Sequence, residues 1–248
     1  MATETGPREI AEAWRPQRPG RRAARDIPDA IVEPDWGGMR VVAALSEDEA
    51  SLFRDGGEVV APDELLEALL DAFRAVEAVV EGHVTTSALR SSAGAFPTMP
   101  KVERPPILVP KWIRKDVKDD PYVQARDYEQ AEARLEPSVR DALERGERHA
   151  FVATDLLWID GTSLADVPLL ERRRLLEGVL GESFLVRLSA YVRPSAQLTL
   201  ITWGTLGFRD LSYRAANSRY LAGREQPDWA IARAPDAPVG TPKPVAPR

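Results

Sequence analysis

Cysteine is absent from the 248 residues. That excludes disulfides, thiol catalysis and zinc–thiolate sites. Histidine occurs twice, at His83 and His149, with no partner at metal-ligand spacing, so both are expected to be structural. No run of 18 apolar residues occurs, which predicts no membrane span. The N-terminus lacks an apolar h-region, so no signal peptide is expected and a cytoplasmic address is the default. Lysine is scarce. Only Lys101, Lys111, Lys115, Lys118 and Lys243 stand against 28 arginines. A net charge of −6 argues against a uniformly basic, DNA-coating surface.

Apolar residues make up 44% of the chain, enough for a sizeable core. Residues 1–26 are rich in Pro and Arg and lack apolar periodicity, which predicts a flexible arm. The segments 39–45, 51–54 and 58–60 read as a strand meander turned at Asp-Gly-Gly. Residues 62–80 carry Leu65, Leu66, Leu69, Phe73, Val76 and Val80 near helical spacing after a candidate cap at Asp63, and a strand is expected around 78–85. An insertion covers about 91–148. It is basic and Pro-rich to about 120, then helical, with Pro137 predicted to open a second helix.

The stretch FVATDLLWIDGTSLADVPLLERRRLLEGVL (151–180) reads as a buried strand, a turn at Gly161 and a helix over 168–180. Within that helix, Glu171, Arg172, Arg173 and Arg174 are expected on the exposed face, with Leu170, Leu175 and Leu176 inward. A strand over SFLVRLSAYV (183–192), a helix over 195–208 and strands at 209–214 and 228–233 follow. The tail 234–248, with five prolines, is expected to be disordered. The irregular mixture of strands and helices predicts an α+β fold with antiparallel sheets, the domain proper spanning 27–233.

The sequence TDLLWIDGTSLADVPLLERRRLLEGVL resembles the segment FDLLxLDGxxLxxxPLxeRrxxL of ATP-dependent DNA ligases, especially the bacterial end-joining type. EPDWGGMR (33–40) resembles their active-site motif EPKWDGxR, and LFRDGGEVV (52–60) the following LxSRNGxxxT. VVEGHV (79–84) resembles an LDGEhV-type motif, and residues 207–233 resemble GxEGlvlKxxxSpYxpGxRxxdWlKxK. The resemblance implies two packed antiparallel sheets with flanking helices and a nucleotide cleft between them. It also implies ATP and magnesium, a lysine nucleophile forming a lysine–AMP phosphoramide, carboxylates on the metal and cations on the phosphates.

The residues that chemistry needs are replaced. Asp35 holds the nucleophile position and cannot form a phosphoramide; Gly37 replaces an Asp. The Asp-Gly-Glu triplet reads Glu81-Gly82-His83, and Thr154 stands where an aromatic would pack on adenine. Arg209 replaces the metal-side Glu, Arg214 a Lys, and Ile231 and Arg233 the final Lys-x-Lys. Arg40 and Arg54 persist. The vestigial cleft is therefore expected at Asp35, Gly37, Arg40, Arg54, Glu81, His83, Thr154, Arg209, Arg214, Ile231 and Arg233, with no catalytic residue, metal or bound cofactor. Two readings of Asp35 and Arg209 stay open: an inverted ion pair filling the site, or independent drift of two solvated residues.

Three functions stay open at this point. A binding or accessory module could meet DNA or a DNA-repair protein, with nucleic-acid contacts at Lys111, Trp112, Arg114, Lys115 and Lys118. A degraded ATP sensor could use Arg40, Arg54 and Arg233. A residual nucleotidyltransferase could borrow Lys111 or Lys115. The β-barrel that follows the adenylation domain in the family is not expected after residue 233, and the oligomeric state stays open.

Overall fold

Three strands whose residues are all buried, or nearly so, set the architecture: β3 (Met39–Leu45), β6 (Ala78–Thr85) and β7 (Ala150–Ile159). Their Val, Ala and Leu residues read as near-continuous apolar runs because both faces of the sheet are covered. The computed structural model describes residues 6–86, 88 and 120–235. In it β3 pairs antiparallel with β4 (Ala50–Arg54) and with β6, and β6 pairs with β7. With β5 (Gly57–Val59) and β8 (Thr162–Ser163) the order is β5-β4-β3-β6-β7-β8. Short β9 (Val186–Leu188) joins β7 in parallel. A second sheet has the order β12-β10-β2, from β2 (Ala30–Pro34), β10 (Asp210–Ala215) and β12 (Trp229–Arg233), all antiparallel. The fold is α+β, as expected.

Strand alternation divides the large sheet into two faces. Met39, Val41, Ala43 and Leu45 join Val80, Val84, Phe151 and Ala153 in the main core, which the helices α2 (Asp63–Ala72) and α4 (Leu169–Val179) cover with Leu65, Leu69 and Leu176. On the opposite face Val42, Ala44, Val79 and Leu157 form a smaller apolar cluster. Arg40, Glu81 and His83 lie on that same opposite face by their registers, Arg40 against His83 and Val42 against Glu81. A cleft lined by charge is thus the polar end of a face whose other end is apolar.

The predicted arm is packed rather than flexible from residue 6 onward. Helix α1 (Pro7–Ala13) places Ala11 and then Trp14 against Val42, Ala44 and Phe53. A helix of about two turns is too short for periodicity to register, yet burying Trp14 alone is worth about 1.5–3 kcal/mol. After it β1 (Arg18–Pro19) pairs with β11 (Glu225–Gln226) and a 3-10 turn spans Ala24–Asp26.

Other expectations need correction. Helix α2 stops at Ala72, because Phe73 bridges Leu180 and the Arg74 amide bonds the Val179 carbonyl. Pro137 starts no helix. It lies inside one 24-residue helix, α3 (Pro121–Glu144), on an exposed face. Only Val186–Leu188 of the segment 183–192 is a strand, with an isolated bridge from Val192 to Val32. The expected helix at 195–208 is α5 (Gln197–Leu206), closed by Gly207 at φ 105°. No helix among the described residues is long and apolar enough to cross a membrane. The Pro-rich tail beyond 235 and the basic part of the insertion lie outside the described residues.

The largest correction concerns α4. Arg172 and Arg173 are fully buried, not on the exposed face. The inward stripe is Leu169, Arg172, Arg173 and Leu176, spaced i, i+3, i+4, i+7. Leu175 is 43% exposed, and Glu171 pairs with Arg174 at the surface at 2.5 Å.

Candidate functional site

The turn between β2 and β3 carries Asp35, Gly37 and Gly38. Gly37 and Gly38 have φ of 60° and 81°, which glycine adopts without a Cβ clash. The Gly37 amide donates to Asp35 Oδ1 (3.3 Å), and the Gly37 carbonyl lies 3.2 Å from His83 Nδ1. His83 is thereby tied to the nucleophile-position loop. Burial, then Arg40, Arg54 and Arg214, push its imidazole down to about 3, so it is neutral at neutral pH.

Among the described residues Asp35 has no direct ion-pair partner. Its backbone amide bonds the Asp210 carbonyl at 3.0 Å, which puts two acidic residues side by side. Burial, with Asp210 and Glu132 nearby, raises the Asp35 carboxyl to about 7, against the Gly37 hydrogen bond and Arg209. The Asp35–Arg209 ion pair does not form. Arg209 Nε bonds the carboxylate of the adjacent Asp210 instead, a partner one residue away that costs less chain ordering.

Behind this loop lies a buried charge network. Arg40 Nε donates to Glu81 Oε1 at 2.6 Å, its Nη2 bonds the same oxygen, and its Nη1 donates to the Gln17 carbonyl at 2.8 Å. Tyr220 donates to Glu81 Oε2 (2.6 Å) and accepts from Trp14 Nε1 (2.8 Å). The Arg40 guanidinium also lies over the rings of Trp229 (5.1 Å) and Trp14 (5.9 Å). Burial pulls its pKa down, but Glu81, Tyr220, Tyr128 and Glu132 together outweigh burial and raise it.

A second group centres on Asp155. Arg172 grips it in a two-point fork, both bonds 2.8 Å. Arg214 reaches Asp155 at 3.4 Å and Glu33 at 2.6 Å. Arg173 donates to the Thr154 carbonyl at 2.7 Å and to the Ser189 carbonyl. Burial raises the Asp155 carboxyl, but Arg172, Arg214 and Arg173 outweigh it and hold the group below its usual range. A bulge in β7 makes this possible. Glu81 pairs with Asp155 and Gly82 with Ala153, so Thr154 is extra. Its hydroxyl donates to the Glu81 carbonyl at 3.2 Å. Gly82 is required here, since a Cβ would come within 2.5 Å of Phe151 Cζ and of the Val152 carbonyl.

Helix α3 lies over the same cleft. Tyr128 is buried in a cluster with Trp229 and Ile231, its ring 6.3 Å from that of Trp229 and edge-on. Glu136 comes within 2.8 Å and Glu132 within 3.6 Å of Arg54, whose Nη1 also donates to the Arg40 carbonyl at 2.7 Å. Burial, then Asp35 and Glu132, raise the Tyr128 hydroxyl well above its usual range.

The structure therefore links Asp35, Gly37, His83, Arg40, Arg54, Glu81, Thr154 and Arg214 through contiguous contacts, with Ile231 beside them in the Trp229 cluster. Arg209 borders this group through Asp210, and Arg233 is exposed at the β12 end, opposite Asp210 in register. Lys111, Trp112, Arg114, Lys115 and Lys118 lie outside the described residues. Sequence reasoning missed Glu33, Tyr128, Glu132, Arg172, Arg173, Asp210 and Tyr220. The one readable signal was the Leu169–Arg172–Arg173–Leu176 spacing. No cluster of three His, Asp or Glu residues able to hold a metal occurs among the described residues.

No family model and no curated protein matches the chain. Solved structures do. The ligase domain of LigD from M. tuberculosis matches with a TM-score of 0.56 at 17% identity, over 90% of this chain and 60% of that one. This is the fold of a DNA ligase nucleotidyltransferase domain. The ligase-like fold is met again in a mycobacterial DNA ligase D complexed with ATP and MES, with a TM-score of 0.55, 17% identity and the same coverage. The chain thus spans 60% of the length of these ligase structures.

Proposed function

We propose that this chain is a ligase-like nucleotidyltransferase domain without adenylation chemistry, acting as a binding or accessory module whose partner is DNA or a DNA-repair protein. The observation that carries the reading is Asp35. A carboxyl, set beside Asp210 and Glu132, occupies the position where the ligase resemblance requires a lysine amine. A carboxylate cannot form the phosphoramide.

The rest of the cleft supports this. Magnesium wants several unpaired oxygen ligands. Here Glu81 is engaged by Arg40 and Tyr220, Asp155 by Arg172 and Arg214, and Glu33 by Arg214. Arg209 adds a cation at the metal-side position. The residues do not suit ATP with magnesium, and no reaction step is assigned to them. The ATP-sensor reading is weaker, because Arg40 is held by Glu81 and Arg54 by Glu136, leaving only exposed Arg233 of its three arginines.

DNA as partner is favoured by exposed arginines at 15, 18, 21, 22 and 25 of the packed arm, of which Arg21, Arg22 and Arg25 pair with Glu225, Asp228 and Asp26 at the surface. Binding to a fluorescent duplex should weaken steeply as salt rises, because phosphate contacts release counterions. Salt-independent affinity, or none at low salt, would leave a protein partner as the reading. Incubation with α-labelled ATP and magnesium, followed by denaturing electrophoresis, tests the absence of adenylation; labelled protein would overturn it.

A further inference from the structure

Helix α3 is one continuous helix with two unlike halves. After Pro137, Val139 packs on the main core and Leu143 and Ala142 are buried. Before Pro137, the helix rests on the cleft instead, through Tyr128 on Trp229 and Ile231 and through Glu132 and Glu136 on Arg54. Near its start Tyr122 is 51% exposed, with the Arg21 guanidinium 5.0 Å over its ring. Pro137 marks the boundary. A proline inside a helix lacks the amide that would bond the carbonyl four residues back, at Ala133, and its ring crowds that carbonyl.

The contacts of the first half resemble those of a bound molecule. An aromatic ring sits edge-on to Trp229, and two carboxylates join Asp55, 3.7 Å from Nε, in neutralising Arg54. Arg54 Nε is buried and has no aligned hydrogen bond, although Glu136 lies at ion-pair distance. The carboxylate supplies charge without the geometry of a dedicated pair, which is what an exchangeable occupant provides.

We propose that residues 121–136 of α3 form a plug hinged at Pro137, whose Glu132 and Glu136 hold Arg54 in place of an anionic ligand, so that the plug and a polyphosphate compete for the cleft. This deepens the functional reading by giving the same site a device that keeps it closed. The docked plug covers Trp229, Ile231 and Arg54 together. Its release uncovers the Trp229 ring, over which Arg40 lies at 5.1 Å, and the Arg54 guanidinium, which suits a phosphate-bearing ligand.

Hydrogen–deuterium exchange on the full chain tests it, with inorganic tripolyphosphate as the probe. Amides of 121–136 should exchange faster than those of 139–144, since only the latter half packs on the main core, the first half being held by Ala125, Tyr128 and its two carboxylates. Glu132→Gln/Glu136→Gln should speed exchange in 121–136 about fivefold, the scale of losing two partly buried ion contacts, and leave 139–144 and the melting temperature nearly unchanged. Tripolyphosphate should speed the same amides in the wild type but not in Arg54→Ala. Pro137→Ala should slow them by restoring a helical hydrogen bond. Exchange of α3 as a single unit, or a polyphosphate effect that survives Arg54→Ala, overturns the proposal. Labelling the double Gln variant with α-labelled ATP separates the two readings. Covalent AMP on that variant would overturn the functional reading while supporting the plug.

Discussion

Replacing Asp35 by Asn should stabilise the protein at alkaline pH and leave it unchanged in acid. The Asp35 carboxyl is raised to about 7 by burial and by Asp210 and Glu132. In the unfolded chain it ionises near its ordinary value of 3.8. Between these values the folded state binds more protons than the unfolded one, so stability falls as pH rises from about 4 to about 7 and stays reduced above. A shift of about three units corresponds to about 4 kcal/mol at most. Asp35 is partly exposed, and solvent screening brings the expected loss to about 1–3 kcal/mol. Asn keeps an oxygen for the Gly37 amide and carries no charge. Urea unfolding of wild type and Asp35→Asn at pH 4.0, 6.0 and 8.0 measures the difference, which should grow with pH. Taking the difference matters, because other groups titrate in the same range. A variant less stable than wild type at pH 8.0, or a difference independent of pH, would refute the reasoning.

His83 acts in the opposite sense. Its folded pKa is depressed to about 3, so the unfolded state takes up the proton first and stability is lost as pH falls from about 6.5 towards 3. His83→Gln should flatten that acid limb in the same urea titration. Arg172→Met should cost about 3–5 kcal/mol by leaving the buried Asp155 carboxylate with the Leu156 amide at 3.0 Å and Arg214 at 3.4 Å as its remaining partners; adding Asp155→Asn should recover part of it, as read by chemical denaturation. Gly82→Ala should cost about 3 kcal/mol or abolish folding, since its Cβ would strike the β7 backbone at 2.5 Å; circular dichroism and the melting temperature report the outcome.

The parts of the fold legible in the sequence were those with a strong period or a strong apolar run. β3, β6 and β7 are buried on both faces and read as continuous Val/Ala/Leu segments. The two-sheet architecture came through the ligase resemblance, and the solved structures agree with it. What failed was decided by tertiary partners. Residues 7–14 have too few turns for periodicity, and only the Tyr220 hydroxyl and the β3–β4 surface explain why Trp14 is inside. Arg172 and Arg173 read as a solvated face because arginine is seldom fully buried. Asp155 and the carbonyls of Thr154 and Ser189, supplied by other elements, reverse that. In the site, Asp35, Gly37 and His83 are linked by short contacts, and so are Arg40, Glu81 and Thr154. Other partners were not legible, since Arg209 chose Asp210 and Tyr128 came from a helix with no motif.

Covalent transfer of AMP tests the central claim most directly. Wild type and Asp35→Lys should be incubated side by side with α-labelled ATP and magnesium and resolved on a denaturing gel. Both are expected at background. The wild type lacks the amine, and the variant regains it beside Arg209 and Ile231, where the resemblance requires a carboxylate and a lysine. Stoichiometric label on the wild type would contradict the account, and label on Asp35→Lys would contradict its claim that the surrounding cleft no longer supports the reaction.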